Sequence, residues 1–344
     1  MSTSPAHYRK PATRCATVIS PFLRHLNTGT LALFMFVALA FLSTTHGKDP
    51  ETSESALPKA TKTEVDPSPS LDPSPTVTST PTPTNQEIYA ITPDGTPLHW
   101  LVYTPTGSGP WPAALVIHVG GFRAGYPGSL EAAQDLAAAG YLALAIEYHL
   151  APRAKPMPQQ VTPGYYPLQT DDVRDAIMAA RRDPRCNGKV VAAGGSAGAS
   201  HAAYCAATGT LGLDRFDAAV CLSGAYDFGD AQSLGDALRR NFKTDVQNYV
   251  NTTDVTKLHA ASPVTFVTDS ISPLFLVATN NDPMPFEQLP DMVDALQSAG
   301  AADYQQLLIT KPNGPDGFTR HAFEYWSDVK NHAIAFLNNR LATP

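Results

Sequence analysis

Cysteine is scarce in this sequence. Four cysteines occur among 344 residues, and Cys186, Cys205 and Cys221 follow none of the spacings by which thiolates bind zinc. The composition therefore gives no support to a thiolate metal site. One disulfide remains possible, although we expect Cys205 and Cys221 to be buried free thiols.

Positive charge is scarce beyond the first 48 residues. Those residues contain five Lys or Arg and lack Asp and Glu, so they contribute +5 to a net charge of −7 and the rest of the chain carries −12. A surface of that sign repels phosphate backbones. The charge balance argues against nucleic acid as a partner.

Long apolar runs are also few, and the clearest one lies near the start. Residues 31–42 are twelve consecutive apolar residues after a basic head, which is the profile of a secretory signal. The uncharged stretch widens to residues 26–45, about the 20 residues that a membrane anchor needs. We therefore predict that residues 1–48 are a signal peptide or a signal anchor and that the protein is exported, to the periplasm or the exterior.

A segment rich in proline, serine and threonine follows the apolar run. Residues 49–86 contain too little apolar surface to offset the entropy of ordering, so we predict a disordered linker. The remaining 258 residues, 87–344, have the length of one large α/β domain.

Strand-like and helix-like runs alternate through residues 87–344. Two β-type runs at 87–92 and 98–104 flank a turn and predict an antiparallel edge, and the continuous apolar runs further on predict strands buried on both faces of a parallel sheet. The predicted strands are 112–117, 141–146, 190–193, 217–222, 273–278 and 303–308, and the predicted helices are 129–139, 170–182, 286–299 and 322–341. Residues 229–270 predict irregular helices at the edge of the sheet. This alternation predicts an α/β fold with a doubly wound, mostly parallel sheet, and a site at the carboxyl ends of its strands.

The sequence Gly194-Gly195-Ser196-Ala197-Gly198 follows one of these strands and precedes a helix-compatible run. A serine between a buried strand and a helix lies on a sharp turn, which raises its hydroxyl above the sheet and aims a helix N-terminus at the group that it attacks. This context favours a nucleophile elbow, although small residues after a strand also form phosphate loops or plain tight turns.

Candidates for the acid and the base follow later strands. Asp282 comes after the strand 273–278, and His321 follows the strand 303–308 in a loop rich in glycine and proline. A serine hydroxyl needs an imidazole to accept its proton, and the imidazole needs a carboxylate to fix its tautomer. The chain order Ser196, Asp282, His321 is the one expected for a hydrolase of this sheet type. Asp316 is a rival for the acid.

Other histidines fit the base less well. His201 lies one turn beyond Ser196, His332 lies inside the terminal helix, and His149 and His259 have no matching partner in the sequence.

A hydrolase of this kind also needs N–H donors for the oxyanion of its tetrahedral intermediate. We expect one from Ala197 at the start of the elbow helix and others from Gly120 and Gly121, which follow the first buried strand and leave the backbone open to substrate. A simple tight turn at the two glycines is the alternative.

Five motifs in order make the chain resemble the α/β-hydrolase superfamily, and within it the carboxylesterases related to hormone-sensitive lipase and the feruloyl-esterase-like enzymes. The motifs are His118-Val119-Gly120-Gly121-Phe122, Tyr148-His149-Leu150-Ala151-Pro152, the elbow, Asp282-Pro283 and His321-Ala322-Phe323. The resemblance implies that Phe122 and Tyr148 contact substrate. Three residues depart from the family pattern. Val119 replaces the first loop glycine, but the family's donors correspond to Gly120 and Gly121, so the resemblance still implies an oxyanion hole. His149 and Ala199 replace an arginine and a glycine, which bears on substrate placement and local packing more than on the triad.

The resemblance implies hydrolysis of a carboxylic ester through an acyl-enzyme, without a metal or an organic cofactor. The expected substrate is a small-molecule or polysaccharide-linked ester, with acetyl, feruloyl or short lipid acyl groups. An amidase or peptidase with the same triad is the second hypothesis. A binding protein on a decayed hydrolase frame is the third.

Overall fold

The computed structural model describes residues 85–125, 127, 130–152, 161–230 and 240–342. These residues belong to one compact unit, Ser74–Pro344. The predicted signal or anchor at 1–48 lies outside the described residues, as does the predicted linker at 49–86 except for its last two residues. Among the helices of the described part, none is long and apolar enough to cross a membrane.

The described residues form an eight-stranded sheet flanked by helices. The strands are β1 Asn85–Ile91, β2 Pro97–Tyr103, β3 Trp111–Ile117, β4 Leu142–Ile146, β5 Cys186–Gly195, β6 Ala218–Leu222, β7 Leu274–Thr279 and β8 Tyr304–Ile309. Their order in the sheet is β1-β2-β4-β3-β5-β6-β7-β8. β2 pairs antiparallel with β1 and β4, and the pairs from β4 to β8 are parallel. The predicted fold class, with its antiparallel N-terminal edge, is confirmed.

The helices cover both faces of the sheet. They are α1 Leu130–Ala138, α2 Leu168–Arg182, α3 Ala197–Ala207, α4 Arg240–Val250, α5 Val255–Ala260, α6 Gln288–Ala299 and α7 Trp326–Leu341, with 3₁₀ turns at Pro263–Phe266 and Ala322–Tyr325. Helices α2, α3 and α6 share one apolar core with the sheet, and α1 and α7 share the other.

The sequence of a central strand shows how the two cores arise. Along β3, Leu115 and Ile117 belong to the core of α2 and α3, whereas Ala114 and Val116 belong to the core of α1 and α7. Successive side chains of a strand point to opposite faces. A continuous apolar run is therefore what a strand covered on both sides requires.

Three features differ from the sequence-based expectations. β1 begins at Asn85, two residues before the predicted domain boundary. The predicted terminal helix begins as a 3₁₀ turn at Ala322–Tyr325, and its α-helical part starts at Trp326. Helix α4 does not lie at the edge of the sheet as expected, because its Phe242 and Val246 pack with Phe122 in a third apolar cluster.

The three described cysteines are free thiols. Cys205 and Cys221 are buried and Cys186 is half-buried. The expectation of buried free thiols at Cys205 and Cys221 is confirmed, and burial raises the pKa of the Cys205 thiol to about 12.

Candidate active site

Ser196 occupies a sharp turn between β5 and α3. Its φ of 53° and ψ of −119° lie outside the regions that side-chain-bearing residues usually adopt. A Cβ at Gly194 would overlap the carbonyl of Gly198, and a Cβ at Gly198 would overlap the carbonyl of Ile117. Since both obstacles are backbone atoms, the turn accepts only glycine at these two positions.

Asp282 and His321 are in direct contact. The Nδ1 atom of His321 lies 2.6 Å from Oδ1 of Asp282, and the same carboxylate oxygen accepts the N–H of Met284 at 2.8 Å. The Asp282 side chain is 3% exposed, whereas that of His321 is 24% exposed. The imidazole is thus held by a buried carboxylate while part of its ring faces the solvent side.

Asp316, the other candidate for the acid, lies in an exposed turn. Asp316 is exposed and accepts the N–H of Phe318 at 3.1 Å, so it caps a turn of its own loop. The loop before His321 is held at the end of β7 by two other hydrogen bonds. Thr319 donates its N–H to the carbonyl of Asn281 at 2.9 Å, and Thr279 Oγ1 donates to the carbonyl of Arg320 at 2.9 Å.

Ser196 and His321 line the same cavity of about 130 Å³. A Cβ at Gly195, the residue before the serine, would lie 2.8 Å from the ring of Phe323 and 3.0 Å from Cβ of Ala322, so the histidine loop packs directly on the elbow. Within the described residues the structure records no hydrogen bond from Ser196 to His321. In hydrolases without substrate this bond is often long and forms in the Michaelis complex.

The loop after β3, residues 118–125, lines the cavity with Ser196 through Gly121 and Phe122, and it is here named the oxyanion loop after the role that the sequence predicts for it. Its φ values are 133° at Gly120, 57° at Gly121 and 62° at Phe122. The carbonyl of Gly120 accepts the N–H groups of Arg123 and Ala124 at 3.2 and 3.0 Å. The loop is therefore a tight turn, and its left-handed backbone turns the chain at the mouth of the site.

The predicted donors differ in their relation to the cavity. Gly121 in this loop and Ala197 at the start of α3 line the cavity with Ser196, whereas Gly120 is not among its lining residues. A Cβ at Gly121 would overlap the carboxylate of Asp245 on α4. The absence of a side chain at Gly121 thus allows α4 to approach the loop.

The two predicted substrate contacts also differ. Phe122 lines the cavity and stacks on Tyr249 with ring centroids 4.3 Å apart. Tyr148 is not among the lining residues of this cavity. Its hydroxyl donates to the carbonyl of His118 at 3.1 Å, and its ring stacks on that histidine at 4.2 Å. In this structure Tyr148 supports the oxyanion loop from behind.

Gln169 on α2 fixes the oxyanion loop and was not foreseen from the sequence. Its side-chain amide donates to the carbonyls of Phe122 and Gly164, each at 2.7 Å, and its carbonyl oxygen lies 3.0 Å from Nε2 of His201. Burial lowers the pKa of His201 to about 3. The imidazole is therefore neutral, and its proton is on Nε2 because the Gln169 oxygen can only accept.

Ser223, the residue after β6, was also not predicted from the sequence. Its hydroxyl contacts Oδ2 of Asp282, so it holds the carboxylate oxygen that His321 does not use. The sequence offered no signal for it, since a serine after a buried strand is common in turns.

The histidines left without partners in the sequence analysis have partners in the fold. His149 Nδ1 lies 2.9 Å from Oδ2 of the buried Asp172, and His259 Nδ1 lies 2.9 Å from Oδ1 of Asp227. That expectation was wrong because the partners are 23 and 32 residues away along the chain. Neither histidine lines the cavity with Ser196. Burial by itself would lower the pKa of His149, but the hydrogen bond and charge of Asp172 outweigh it and the pKa is raised.

Among the described residues, no group of three or more His, Cys, Asp or Glu side chains is arranged to hold a metal ion. The polar groups at the mouth of the site are those of a serine, an imidazole and a carboxylate. Their chemistry is proton transfer and nucleophilic attack.

The mostly parallel sheet, the strained serine at the end of β5 and the acid and histidine on loops after β7 and β8 define an α/β-hydrolase. Residues 101–296 match the family model described as BD-FAE. The chain belongs to this family.

Three similar proteins are described as esterases. Over 212 residues the chain is 28% identical to esterase LipQ of Mycobacterium tuberculosis, an alignment that covers 57% of this chain and 46% of that protein. The chain thus spans about half the length of this relative. A thermophilic esterase from the planctomycete Thermogutta terrifontis matches with a TM-score of 0.58 at 20% identity, over 74% of this chain and 91% of that one. A truncated carbohydrate esterase from gut microbiota matches with a TM-score of 0.57 at 16% identity, over 74% and 98% of the two chains. At these identities the solved structures share the fold.

Proposed function

We propose that this protein is a serine esterase that cleaves carboxylic esters through an acyl-enzyme. One observation carries the proposal: Ser196, on its strained turn, shares a cavity with His321, whose Nδ1 is 2.6 Å from the buried carboxylate of Asp282. The BD-FAE family match and the esterase relatives support the same reaction class.

In the proposed reaction, Ser196 Oγ attacks the ester carbonyl while Nε2 of His321 takes its proton. Asp282 holds the Nδ1 proton and stabilises the imidazolium. The N–H groups of Gly120, Gly121 and Ala197 stabilise the oxyanion, a contribution of roughly 3–4 kcal/mol for each well-placed donor. His321 then protonates the leaving alcohol, and a water activated by the same histidine releases the acid.

The lining of the cavity supports a small acyl group. Apart from the polar residues of the site it is mainly apolar, formed by Phe122, Ala225, Phe242, Val246, Pro283 and Met284. An acetyl or other short acyl chain fits a cavity of about 130 Å³ with such a lining. Feruloyl esters and acetyl groups on polysaccharide are the further candidates, and one structural neighbour is a carbohydrate esterase.

The test uses the full chain with nitrophenyl esters of increasing acyl length, a feruloyl ester, an acetylated polysaccharide and a nitroanilide of the best acyl group. We expect hydrolysis of short-chain esters and labelling by an organophosphonate. Ser196→Ala should lower kcat by at least about 10³-fold and abolish labelling. Preference for the anilide would favour an amidase, and neither turnover nor labelling would favour a binding protein.

We further propose that the protein acts outside the cytoplasm, held by or released from a membrane through residues 26–45. The support is the basic head and apolar run of residues 1–48. The test is to locate the protein among the cytoplasm, the cell envelope and the medium and to sequence its N-terminus. A mature chain that starts at Met1 and is found in the cytoplasm would contradict the proposal.

A further inference from the structure

We propose that Ser223 is a positioning residue that sets the alignment of the Asp282–His321 pair. The proposal rests on the proposed esterase function and adds a fourth side chain on which its rate depends. Ser223 does not line the cavity that contains Ser196, so its effect on catalysis passes through the acid and the histidine.

Ser223 is fixed at the end of β6. Its N–H donates to the carbonyl of Val277 at 2.7 Å, which extends the pairing of β6 with β7 by one residue. Its φ is 51°, a left-handed value, and it is 2% exposed. A side-chain-bearing residue held in this region is uncommon and is often found at functional sites.

The hydrogen bonds of Ser223 leave one direction for its proton. The N–H of Ala322 donates to Ser223 Oγ at 3.0 Å, and the hydroxyl of Tyr325 lies 2.8 Å from it. Oδ2 of Asp282 contacts the same oxygen and, as a carboxylate, can only accept. Since a serine hydroxyl has one proton, that proton belongs to Asp282 and Tyr325 is the donor to Ser223. The hydroxyl proton of Tyr325 has two acceptors, Ser223 Oγ and the carbonyl of Val277, which is 3.1 Å away.

This arrangement joins the two members of the pair through one oxygen atom. Ser223 holds the side chain of Asp282 and, through the N–H of Ala322, the backbone next to His321. Ala322 is itself left-handed, with a φ of 50°. Loss of the hydroxyl therefore leaves Oδ2 of Asp282 without this partner, while Oδ1 keeps His321 and the N–H of Met284. It also removes one of the bonds at the turn after His321, which keeps the bond from the N–H of His321 to Glu324 Oε2 at 2.9 Å.

Substitution of Ser223 by glycine distinguishes this role from a purely structural one. Alanine and glycine at position 223 both remove the hydroxyl, but glycine adopts a φ of 51° without strain. A residue needed only for the turn tolerates glycine better than alanine. A residue needed for its hydroxyl loses the same activity with either substitution.

Ser262→Ala provides a matched control. Ser262 is also a fully buried serine, and its hydroxyl accepts the N–H of Phe228 at 2.7 Å and donates to the carbonyl of Leu258 at 2.9 Å. It touches neither Asp282 nor His321. Its loss reports the effect of an unpaired buried hydrogen-bond partner on stability, without an effect on the pair.

The experiment measures kcat and KM of the full chain, its Ser223→Ala, Ser223→Gly and Ser262→Ala variants on the best nitrophenyl ester, normalised by active-site titration. We expect both Ser223 variants to lose on the order of 10- to 100-fold in kcat, as for a hydrogen bond to a charged group, with KM within about twofold and Ser262→Ala unchanged in kcat. A Ser223→Gly variant with wild-type kcat would overturn the proposal.

A second measurement does not depend on turnover. The Nδ1–H proton of His321, identified by its loss in His321→Ala, gives a downfield NMR resonance when it is bound to a carboxylate. We expect this resonance to shift or broaden in both Ser223 variants and to stay unchanged in Ser262→Ala. If it is unchanged in the Ser223 variants, Ser223 does not position the pair. If the wild type cleaves no ester but the resonance responds, the esterase function fails and the positioning role stands.

Discussion

Replacing Gln169 by leucine should destabilise the protein and loosen the oxyanion loop. The amide is fully buried, and its loss removes the donor to the carbonyl of Gly164, one of two donors to the carbonyl of Phe122, and the acceptor of the His201 proton. Phe122 keeps the N–H of Ala151 at 2.8 Å. Two buried groups thus lose the partner that Gln169 gave them, at about 1–3 kcal/mol each, so we expect a loss of about 2–6 kcal/mol.

That loss is a large part of the stability of a typical domain, about 5–15 kcal/mol. For a domain of this size it corresponds to a fall in Tm of roughly 5–20 °C. Guanidinium and thermal unfolding measure it, and kcat on the best ester reports the loop. Because Phe122 lines the cavity, we expect kcat to fall on the order of tenfold even well below Tm.

A double variant tests the reasoning itself. His201 is surrounded by the aromatic rings of Phe122, Tyr148 and Tyr249, so His201→Phe places an apolar ring there. When both members of a buried polar contact become apolar, most of the cost of an unpaired group disappears. Gln169→Leu with His201→Phe should therefore cost at least about 0.5–1 kcal/mol less than the sum of the single variants. Strict additivity, or a Gln169→Leu protein as stable as the wild type, would refute this explanation.

Two further predictions concern the ion pair behind the site and the elbow. His149 has a raised pKa in the fold. The stability that it contributes with Asp172 is therefore fully present below the unfolded pKa of about 6.5 and is lost as the pH rises through the higher folded value. The difference in unfolding free energy between wild type and His149→Phe, measured in urea, should shrink from pH 6 to pH 9, and a difference that grows over this range would contradict the raised pKa of His149. Gly198→Ala places a Cβ onto the carbonyl of Ile117, which cannot move without displacing β3. We therefore expect the free energy of unfolding to fall by about 1–3 kcal/mol or more and most of the proposed esterase activity to be lost. A variant with wild-type Tm and kcat would show that the turn is less tightly packed than the structure indicates.

The parts of the site that can be predicted from the sequence are those that local sequence patterns indicate. The elbow combines an apolar strand, small residues and a helix within about twenty positions, and the glycine pair of the oxyanion loop follows an apolar strand in the same way. Asp282 and His321 were found from their places after later strands. Each of these inferences depends on chain order and the topology of the sheet, which alternating patterns reveal.

The supporting polar groups are not visible in local patterns. Gln169 reaches Phe122 across 47 positions, and Ser223 reaches Asp282 across 59. Asp172 lies near the start of the predicted helix 170–182, and in the fold it is buried against His149. A polar residue at the start of a helix or the end of a strand has the same sequence context whether it faces solvent or a buried partner, so only the tertiary fold decides.

The backbone of the sheet explains why three distant residues meet at one place. Just beyond the strand ends, Ser196 donates its N–H to the carbonyl of Leu222 at 2.9 Å, Ser223 to that of Val277 at 2.7 Å, and Asn280 to that of Ile309 at 3.0 Å. Each bond fixes the residue after one strand to the last part of the next, from β5 through β6 and β7 to β8. The spacing of Ser196, Ser223 and Asp282 is thus a consequence of strand register, which burial on both faces specifies strongly. The loop of His321 contains several exposed residues, and it is attached to this framework by the bonds of Thr319 and Ala322. Substitutions in the exposed turn around Asp316 should therefore affect the rate much less than substitutions at the strand ends.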